Sequence, residues 1–148
     1  MRAKEIMTKQ LVTAKPETSV TEIAQMMMEH RISAVPVITP DQRLLGIISE
    51  TDLLQRREAG MERLPRSWWL ALFNSKDRLT KSVDKTEGNL AKNIMTTPAI
   101  SVDQEATIED VARLFLTRKI NQAPVVHRGK LVGIVSRGDL VSAVARSD

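Results

Sequence analysis

The stretch LLGIISETDL, residues 44–53, decides the fold because it returns as LVGIVSRGDL at residues 131–140. Six of these ten aligned positions are identical. An earlier stretch also returns: AKEIMT at residues 3–8 matches AKNIMT at residues 91–96. Two matches in the same order along the chain indicate a tandem duplication.

The duplication divides the chain into three predicted parts. These are repeat 1 over residues 1–54, an insert over 55–90 and repeat 2 over 91–148. A unit of about 50 residues buries too little apolar surface to be stable alone. We therefore expect the two repeats to pack together about a pseudo-two-fold axis.

Each repeat has the same predicted order of elements: strand, helix, strand, strand, helix. In repeat 1, Val12 opens an extended segment, and Ser19 with Glu22 three residues later predicts a capped helix start. Strands follow over 35–38 and 44–48 around a turn at 39–42, and the last helix begins near Asp52. The counterparts in repeat 2 are Ile100, Thr107, strands over 123–126 and 131–135, a turn at 127–130, and a helix near Asp139. This order predicts an α+β, sandwich-like fold.

Composition excludes several classes of protein. The 148 residues are 42% hydrophobic and 27% charged, as in soluble globular proteins. The absence of Cys excludes disulfides, thiolate metal sites and a Cys nucleophile, and two His residues are too few for a multi-histidine metal site. No apolar run approaches a membrane span, and the first residues lead into no signal-peptide core, so we expect a cytoplasmic protein.

Nucleic-acid binding and catalysis are both disfavoured. The net charge is only +4 and aromatic residues make up 3% of the chain, whereas nucleic-acid binders usually show a denser basic surface. No phosphate-binding glycine loop, Gly-x-Ser-x-Gly or His-Glu-x-x-His motif is present. We therefore predict that the chain is not an enzyme and has no catalytic residues.

A Ser-x-x-Asp spacing follows the last predicted strand of each repeat. It consists of Ser49 and Asp52 in repeat 1 and of Ser136 and Asp139 in repeat 2. One interpretation is a helix cap, because Ser and a carboxylate three residues later satisfy free backbone N–H groups. The other is a ligand site, because a helix N-terminus suits a phosphate and a carboxylate can accept both hydroxyls of a ribose. The two interpretations are compatible.

Together these motifs resemble a tandem pair of CBS (cystathionine-β-synthase) domains, also called a Bateman module. The resemblance rests on the two Ile-Met-Thr stretches, on VPV at 35–37 and APV at 123–125, and on the two Gly-Ile-(Ile/Val)-Ser-x-x-Asp segments. It covers both repeats and leaves the insert out.

The resemblance implies a regulatory module that senses adenosine nucleotides and signals by conformational change. Such pairs bind AMP or ATP, with ADP, S-adenosylmethionine or NAD as further possibilities, in composite clefts between the repeats, and no cofactor is required. It also implies a homodimer and an unidentified effector protein. The alternative is a dimeric scaffold whose clefts are empty or bind single-stranded nucleic acid.

The resemblance also implies roles for individual residues. Asp52 and Asp139 would hold the ribose hydroxyls. The phosphate would lie near Ser49, Thr51, Ser136, Arg137, the pair His30–Arg31 and the pair Arg118–Lys119. The adenine would lie against Thr13, Ala14, Ile32, Ser33 and Ala34, or against Ser101, Val102, Ile120, Asn121 and Gln122. The basic pairs also have an ordinary explanation, since exposed cations stabilise helix C-termini.

The two repeats differ inside the Ser-x-x-Asp spacing. Repeat 1 has Glu50 where repeat 2 has Arg137, and Gly138 replaces Thr51. An acid beside a phosphate weakens binding unless it points away, whereas Arg can pair with phosphate through two hydrogen bonds. We therefore expect the Asp139 cleft to be the better site for a polyphosphate.

The insert carries Trp68 and Trp69 in a largely polar context. We predict that the last helix of repeat 1 continues to about Gly60, that a second helix spans 68–74, and that 76–88 is a polar loop. The two Trp residues pack on their own chain, form a dimer contact, or lie on a membrane surface.

Overall fold

The computed structural model describes residues 1–58 and 90–146 of the chain. The predictions for the second helix, for Trp68 and Trp69, for the polar loop and for the helix end near Gly60 lie outside the described residues.

The described residues form helices and short sheets, which confirms the α+β class. The elements are α1 (Ala3–Ile6), α2 (Val20–His30), β1 (Ala34–Ile38), β2 (Leu44–Ser49), α3 (Glu50–Glu58), α4 (Ala91–Ile94), β3 (Val102–Asp103), α5 (Ile108–Arg118), β4 (Gln122–His127), β5 (Lys130–Ser136) and α6 (Arg137–Arg146). β3 and β4 are parallel and β4 and β5 antiparallel, giving a three-stranded sheet in the order β3-β4-β5, while β1 and β2 form a second sheet.

Several boundaries differ from those predicted, those of the four predicted strands by a single residue at one or both ends. The last helix of each repeat begins at Glu50 or Arg137, two residues early, because the preceding Ser already caps it. The extended segment from Val12 is reduced to one parallel bridge between Ala14 and Val37. In repeat 2, residues 127 and 130 still pair, so the turn is only Arg128 and Gly129, with φ of 53° and 83°. Positive φ at both central residues is typical of a tight hairpin turn.

The long helices α2 and α5 start at the predicted caps. The Ser19 hydroxyl accepts a hydrogen bond from the Glu22 backbone N–H at 3.1 Å, and Thr107 accepts one from Asp110 at 3.2 Å. The predicted return bond from the exposed Glu22 carboxylate to Ser19 is not formed within the described residues. At the start of α2, only the Ser19 hydroxyl half of the predicted capping box is therefore formed among the described residues.

We expect Ser19→Ala to lower the free energy of unfolding by about 1 kcal/mol, because the N–H of Glu22 in the first helical turn loses its acceptor. Glu22→Ala is the matched comparison and should cost only a few tenths of a kcal/mol, its carboxylate contributing through the helix dipole alone. Urea denaturation measures both values. Equal losses in the two variants would show that the carboxylate caps the helix after all.

Contacts within the chain define two compact units. Unit 1 comprises residues 1–11, 41–44 and 99–148, and unit 2 comprises residues 12–40 and 45–98. The opening segment of each repeat therefore belongs to the unit that holds the body of the other repeat. The predicted repeats say which segments of the chain are duplicated, and their boundaries stay a prediction. The two units say which segments pack together.

In unit 1, the opening helix α1 lies in the core of repeat 2. Ala3 and Ile6 are buried with Val111, Phe115 and Val135. The Ala3 N–H donates to the Ala106 carbonyl at 2.8 Å. The Lys4 ammonium donates to the Glu105 carboxylate at 2.8 Å, and this bond lowers the pKa of Glu105.

In unit 2, helix α4 has the equivalent position. Ala91 is fully buried in a cluster with residues of α2, β1 and β2, and its N–H donates to the Thr18 carbonyl at 2.8 Å. Ile94 and Met95 pack against the same cluster. The residues that follow α1 and α4 are thereby held against a strand of the unit: Thr8 pairs with Ile134, and Thr96 pairs with Ile47.

Candidate functional site

Both predicted aspartates lie in the first turn of a helix, directly after a strand. The Asp52 Oδ2 accepts hydrogen bonds from the Ser49 N–H at 2.8 Å and from the Ser49 hydroxyl at 3.1 Å, and the Asp52 N–H donates to Ser49 Oγ at 3.2 Å. Asp139 and Ser136 repeat this pattern at 2.8, 3.0 and 3.2 Å. The capping interpretation is therefore correct for Oδ2 of each carboxylate.

The second oxygen of each carboxylate distinguishes the two sites. In unit 2, the Thr96 hydroxyl donates to Asp52 Oδ1 at 3.1 Å. In unit 1, Asp139 Oδ1 accepts no hydrogen bond from any described residue. Neither aspartate is fully buried, so this oxygen of Asp139 can accept donors from a ligand.

Thr96 is the site residue that the sequence interpretation missed. It lies 44 positions from Asp52, and only the pairing of the opening segment with β2 brings the two together. Its backbone exchanges hydrogen bonds with Ile47 at 2.9 and 3.1 Å, as Thr8 does with Ile134 at 2.8 and 3.0 Å. The available signal was that the opening Ile-Met-Thr, and thus its Thr, is present in both repeats.

The residues before each Pro-containing strand lie beside the start of the following helix. The Glu50 N–H donates to the Ser33 carbonyl at 3.0 Å, and the Arg137 N–H donates to the Asn121 carbonyl at 2.8 Å. Gln122 is the strand partner of Ser136. In each repeat, the predicted adenine-binding segment and the predicted sugar-binding motif are thus neighbours.

Several of the predicted adenine-binding residues have buried side chains. Ala14, Ala34 and Val102 are buried, and both backbone polar groups of Ala14 bond to β1. Ile32 and Ile120 are partly buried against the two cores, and Thr13 and Ser101 are half-buried.

The predicted phosphate-binding cations lie at the exposed C-terminal ends of α2 and α5. Arg31 and Lys119 end these helices in the left-handed conformation, with φ of 54° and 55°. The side chains of His30, Arg31, Arg118 and Lys119 make no hydrogen bond or ion pair with another described residue. They are free to meet an anion, and they also stabilise the helix ends without one.

Glu50, the exposed residue directly after Ser49, has a second environment besides the Ser-x-x-Asp motif. It lines an apolar cavity of about 210 Å³ in unit 2, together with residues of α2 and α3. Ile32, predicted to contact adenine, lines the same cavity. The other lining residues are Ala24, Met27, Met28, Leu53 and Leu54.

Neither a membrane span nor a metal cluster occurs in the described part of the chain. No helix there is long and apolar enough to cross a membrane. Within the same residues, His, Asp and Glu nowhere gather in a group of three that could hold a metal ion.

The chain is similar to curated and solved proteins over nearly its whole length. It is 37% identical over 144 residues to the CBS domain-containing protein CBSX1, chloroplastic, of Arabidopsis thaliana, covering 90% of this chain and 59% of that protein. It is 34% identical over 136 residues to CBSX2, chloroplastic, of the same plant, covering 86% and 56%. The chain thus spans somewhat more than half the length of these relatives.

A solved structure extends the likeness to three dimensions. The crystal structure of CBSX2 in complex with AMP has a TM-score of 0.76 and 30% identity, covering 99% of this chain and 97% of that one. The family model described as CBS domain matches residues 3–59 and again residues 91–146. The chain therefore belongs to the CBS-domain family and carries the domain twice, as a tandem pair.

Proposed function

We propose that the chain is a regulatory module that senses adenosine nucleotides of the AMP or ATP type. The observation that carries the proposal is the orientation of Asp139. Ser136 donates two hydrogen bonds to its Oδ2, while its Oδ1 accepts none from any described residue and can accept one from a ligand. A carboxylate oriented in this way can accept the hydroxyls of a ribose. The similarity to a protein solved with AMP supports the same ligand class.

The phosphate would be held by groups close to the helix starts and by nearby cations. Ser49, Thr51 and Ser136 lie in the first turn or just before it, where the positive end of the helix dipole favours an anion. Arg31 and Lys119 supply positive charge and His30 supplies a hydrogen-bond donor, and none of these three side chains has a partner among the described residues. Arg137, which follows Ser136 directly, is exposed without a partner among the described residues and would pair with the phosphate through two hydrogen bonds.

The base would lie against the segment before each Pro-containing strand. Ser33 and Asn121 are the members of this segment that touch the helix start through their carbonyl groups. The full sets are Thr13, Ala14, Ile32, Ser33 and Ala34 in repeat 1, and Val102, Ile120, Asn121 and Gln122 in repeat 2.

The module is proposed to act as a homodimer that passes its signal to a separate effector without catalysing a reaction. The cytoplasmic location expected from sequence stays a prediction, since the two relatives named above are chloroplastic. A dimeric scaffold is the second candidate, and the observation that favours it is that both aspartates already cap helices.

A thermal-shift panel separates the two candidates. AMP, ADP, ATP, S-adenosylmethionine, NAD and an oligonucleotide are each added to the intact chain, with 2′-deoxy-AMP as the matched control. A ligand at 100 times its Kd stabilises the folded state by about 2.7 kcal/mol. We expect AMP or ATP to raise the melting temperature and 2′-deoxy-AMP to do so far less, because it lacks one hydroxyl for the carboxylate. No shift with any adenosine ligand would leave the scaffold as the function.

A further inference from the structure

The tip of the hairpin between β4 and β5 carries basic side chains in neighbouring positions. Lys130 pairs across the hairpin with His127, and on its other side it pairs with Arg43. Directly opposed residues on neighbouring strands have their side chains on the same face of the sheet, with Cβ atoms about 4.5–5.5 Å apart. Arg128 follows His127 in the turn, and all four residues are exposed. We call Arg43, His127, Arg128 and Lys130 the basic tip of unit 1.

Backbone hydrogen bonds hold the basic tip together. The Leu44 N–H donates to the Gly129 carbonyl at 3.2 Å, and the Leu131 N–H donates to the Gln42 carbonyl at 2.9 Å. A Cβ at Gly129 would lie 3.0 Å from Arg43 Nη1, so the guanidinium lies against the turn. The backbone that bears the four basic residues is thus fixed before any partner binds, which keeps the entropic cost of docking low.

The positive charge of the basic tip is only partly balanced. The side chains of His127, Arg128 and Lys130 make no hydrogen bond or ion pair with another described residue. Arg43 Nε lies 3.4 Å from the carboxylate of Asp41. Like charges that face each other on neighbouring strands destabilise a sheet, and an exposed ion pair contributes little stability. The placement of Arg43 beside Lys130 therefore costs stability within the fold and favours an anion from outside it.

The fold of a repeat does not require the basic pair in this turn. In the repeat alignment, Thr39 and Pro40 of repeat 1 occupy the positions of His127 and Arg128. Repeat 1 forms its two-stranded sheet with this uncharged pair between the strands. The basic pair of repeat 2 therefore serves no structural purpose that both copies share.

The basic tip is also separate from the predicted nucleotide site. Lys130 begins β5 and Ser136 ends it, and a strand of this length, 7 residues, spans about 20 Å. The acidic residue at the end of β3, Asp103, lies on the other side of β4, because the sheet order is β3-β4-β5 and Arg43 adjoins β5. An anion at the tip would therefore not occupy the site around Asp139.

We propose that the basic tip docks an acidic segment of the separate effector protein, whose carboxylates would lie between Arg43, Arg128 and Lys130. Charge complementarity selects an acidic partner, because its carboxylates relieve the repulsion between the opposed cations. A protein segment fits better than a nucleic acid, because residues 41–44 and 127–131 include no Phe, Tyr or Trp on which bases could stack. The inference rests on the proposed regulatory function only in naming the partner as its effector.

An NMR titration of the intact, isotope-labelled chain with hexaglutamate tests the docking. We expect the amide signals of residues 127–131 and of Arg43 to shift. Hexaglutamine, the uncharged matched peptide, should leave these signals in place. The shifts should weaken as salt is added, because interactions between exposed charges are screened beyond about 10 Å at 0.1 M salt.

Removal of charges assigns the binding to the tip. Arg128→Gln and Lys130→Gln should each raise the Kd for hexaglutamate about threefold, and the double variant about tenfold, because each change removes one exposed ion pair. Asp41→Asn should instead lower the Kd about twofold, since it removes a carboxylate that competes for Arg43. Lys15→Gln, an equal loss of charge at an exposed cation of unit 2, should leave the Kd unchanged.

Three results would overturn the proposal. They are the absence of any shift at the tip, equal losses in Lys15→Gln and Lys130→Gln, and tighter binding of a thymidylate hexamer than of hexaglutamate at the same amides. Thermal melting verifies that each variant folds. The double variant should keep the melting shift that AMP produces in the original chain. A chain that binds hexaglutamate but gives no shift with AMP would refute the nucleotide proposal alone.

Discussion

Asp139→Asn is expected to weaken AMP binding about 100-fold at the tighter site. Two hydrogen bonds from ribose hydroxyls to a charged carboxylate contribute about 3 kcal/mol together, and every 1.4 kcal/mol changes the Kd tenfold. Asn retains the size and the capping ability of Asp, so the helix start should survive. Isothermal titration of the intact chain with AMP measures the change.

Asp52→Asn is the matched variant, and we expect it to leave the tighter Kd within about twofold. Asp52 Oδ1 already accepts the Thr96 hydroxyl, so a ribose would have to displace an existing hydrogen bond there. Asp139 Oδ1 has no such competitor among the described residues. Equal losses in both variants would defeat the ranking of the sites. Unchanged AMP binding in both, with only a lower melting temperature, would assign the aspartates to capping alone.

The Ser-x-x-Asp spacing shows how far sequence reasoning reaches at this site. A spacing of three residues after a strand predicted a helix start, and both caps are confirmed. The spacing could not show that only Oδ2 of each carboxylate accepts the capping hydrogen bonds and that Oδ1 takes no part in the cap, because this depends on the rotamer of the Asp side chain. The ligand role of the aspartates therefore stays a prediction, and Oδ1 is the oxygen that would accept the ribose hydroxyls.

Contacts between segments that lie far apart in the chain could not be predicted from the sequence, for a different reason. A repeat shows which segments are equivalent, but it does not show which of them pack together. The segments ending in Thr8 and Thr96 each pair with the strand of the other repeat, so Thr96 meets Asp52 across 44 positions. Likewise, the spacing places Glu50 inside the Ser-x-x-Asp motif, but only the structure shows that it also lines an apolar cavity together with residues of α2.

At Gly46 of β2 and Gly133 of β5, the opening segments leave no room for a side chain on the strand. A Cβ at Gly46 would lie 2.8 Å from the backbone carbonyl of Thr96 and 3.0 Å from Met95 Sδ. A Cβ at Gly133 would meet only the side chain of Met7, including its Sδ and, at 2.8 Å, its Cγ. A side chain can move to another rotamer, but the Thr96 carbonyl is held by the Ile47 N–H at 3.1 Å.

We therefore expect Gly46→Ala to cost about 3 kcal/mol of unfolding free energy, the upper end for overpacking, because it displaces backbone. Gly133→Ala should cost about 1 kcal/mol, because Met7 can yield. The controls are second-site variants: Met7→Ala makes room for the methyl group added at position 133 and should give a favourable coupling of about 1 kcal/mol, whereas Met95→Ala cannot move the Thr96 carbonyl and should not rescue Gly46→Ala. Urea denaturation of the four variants and both doubles measures these couplings. Rescue of Gly46→Ala by Met95→Ala would mean that the methionine, and not the backbone of the opening segment, requires glycine in β2.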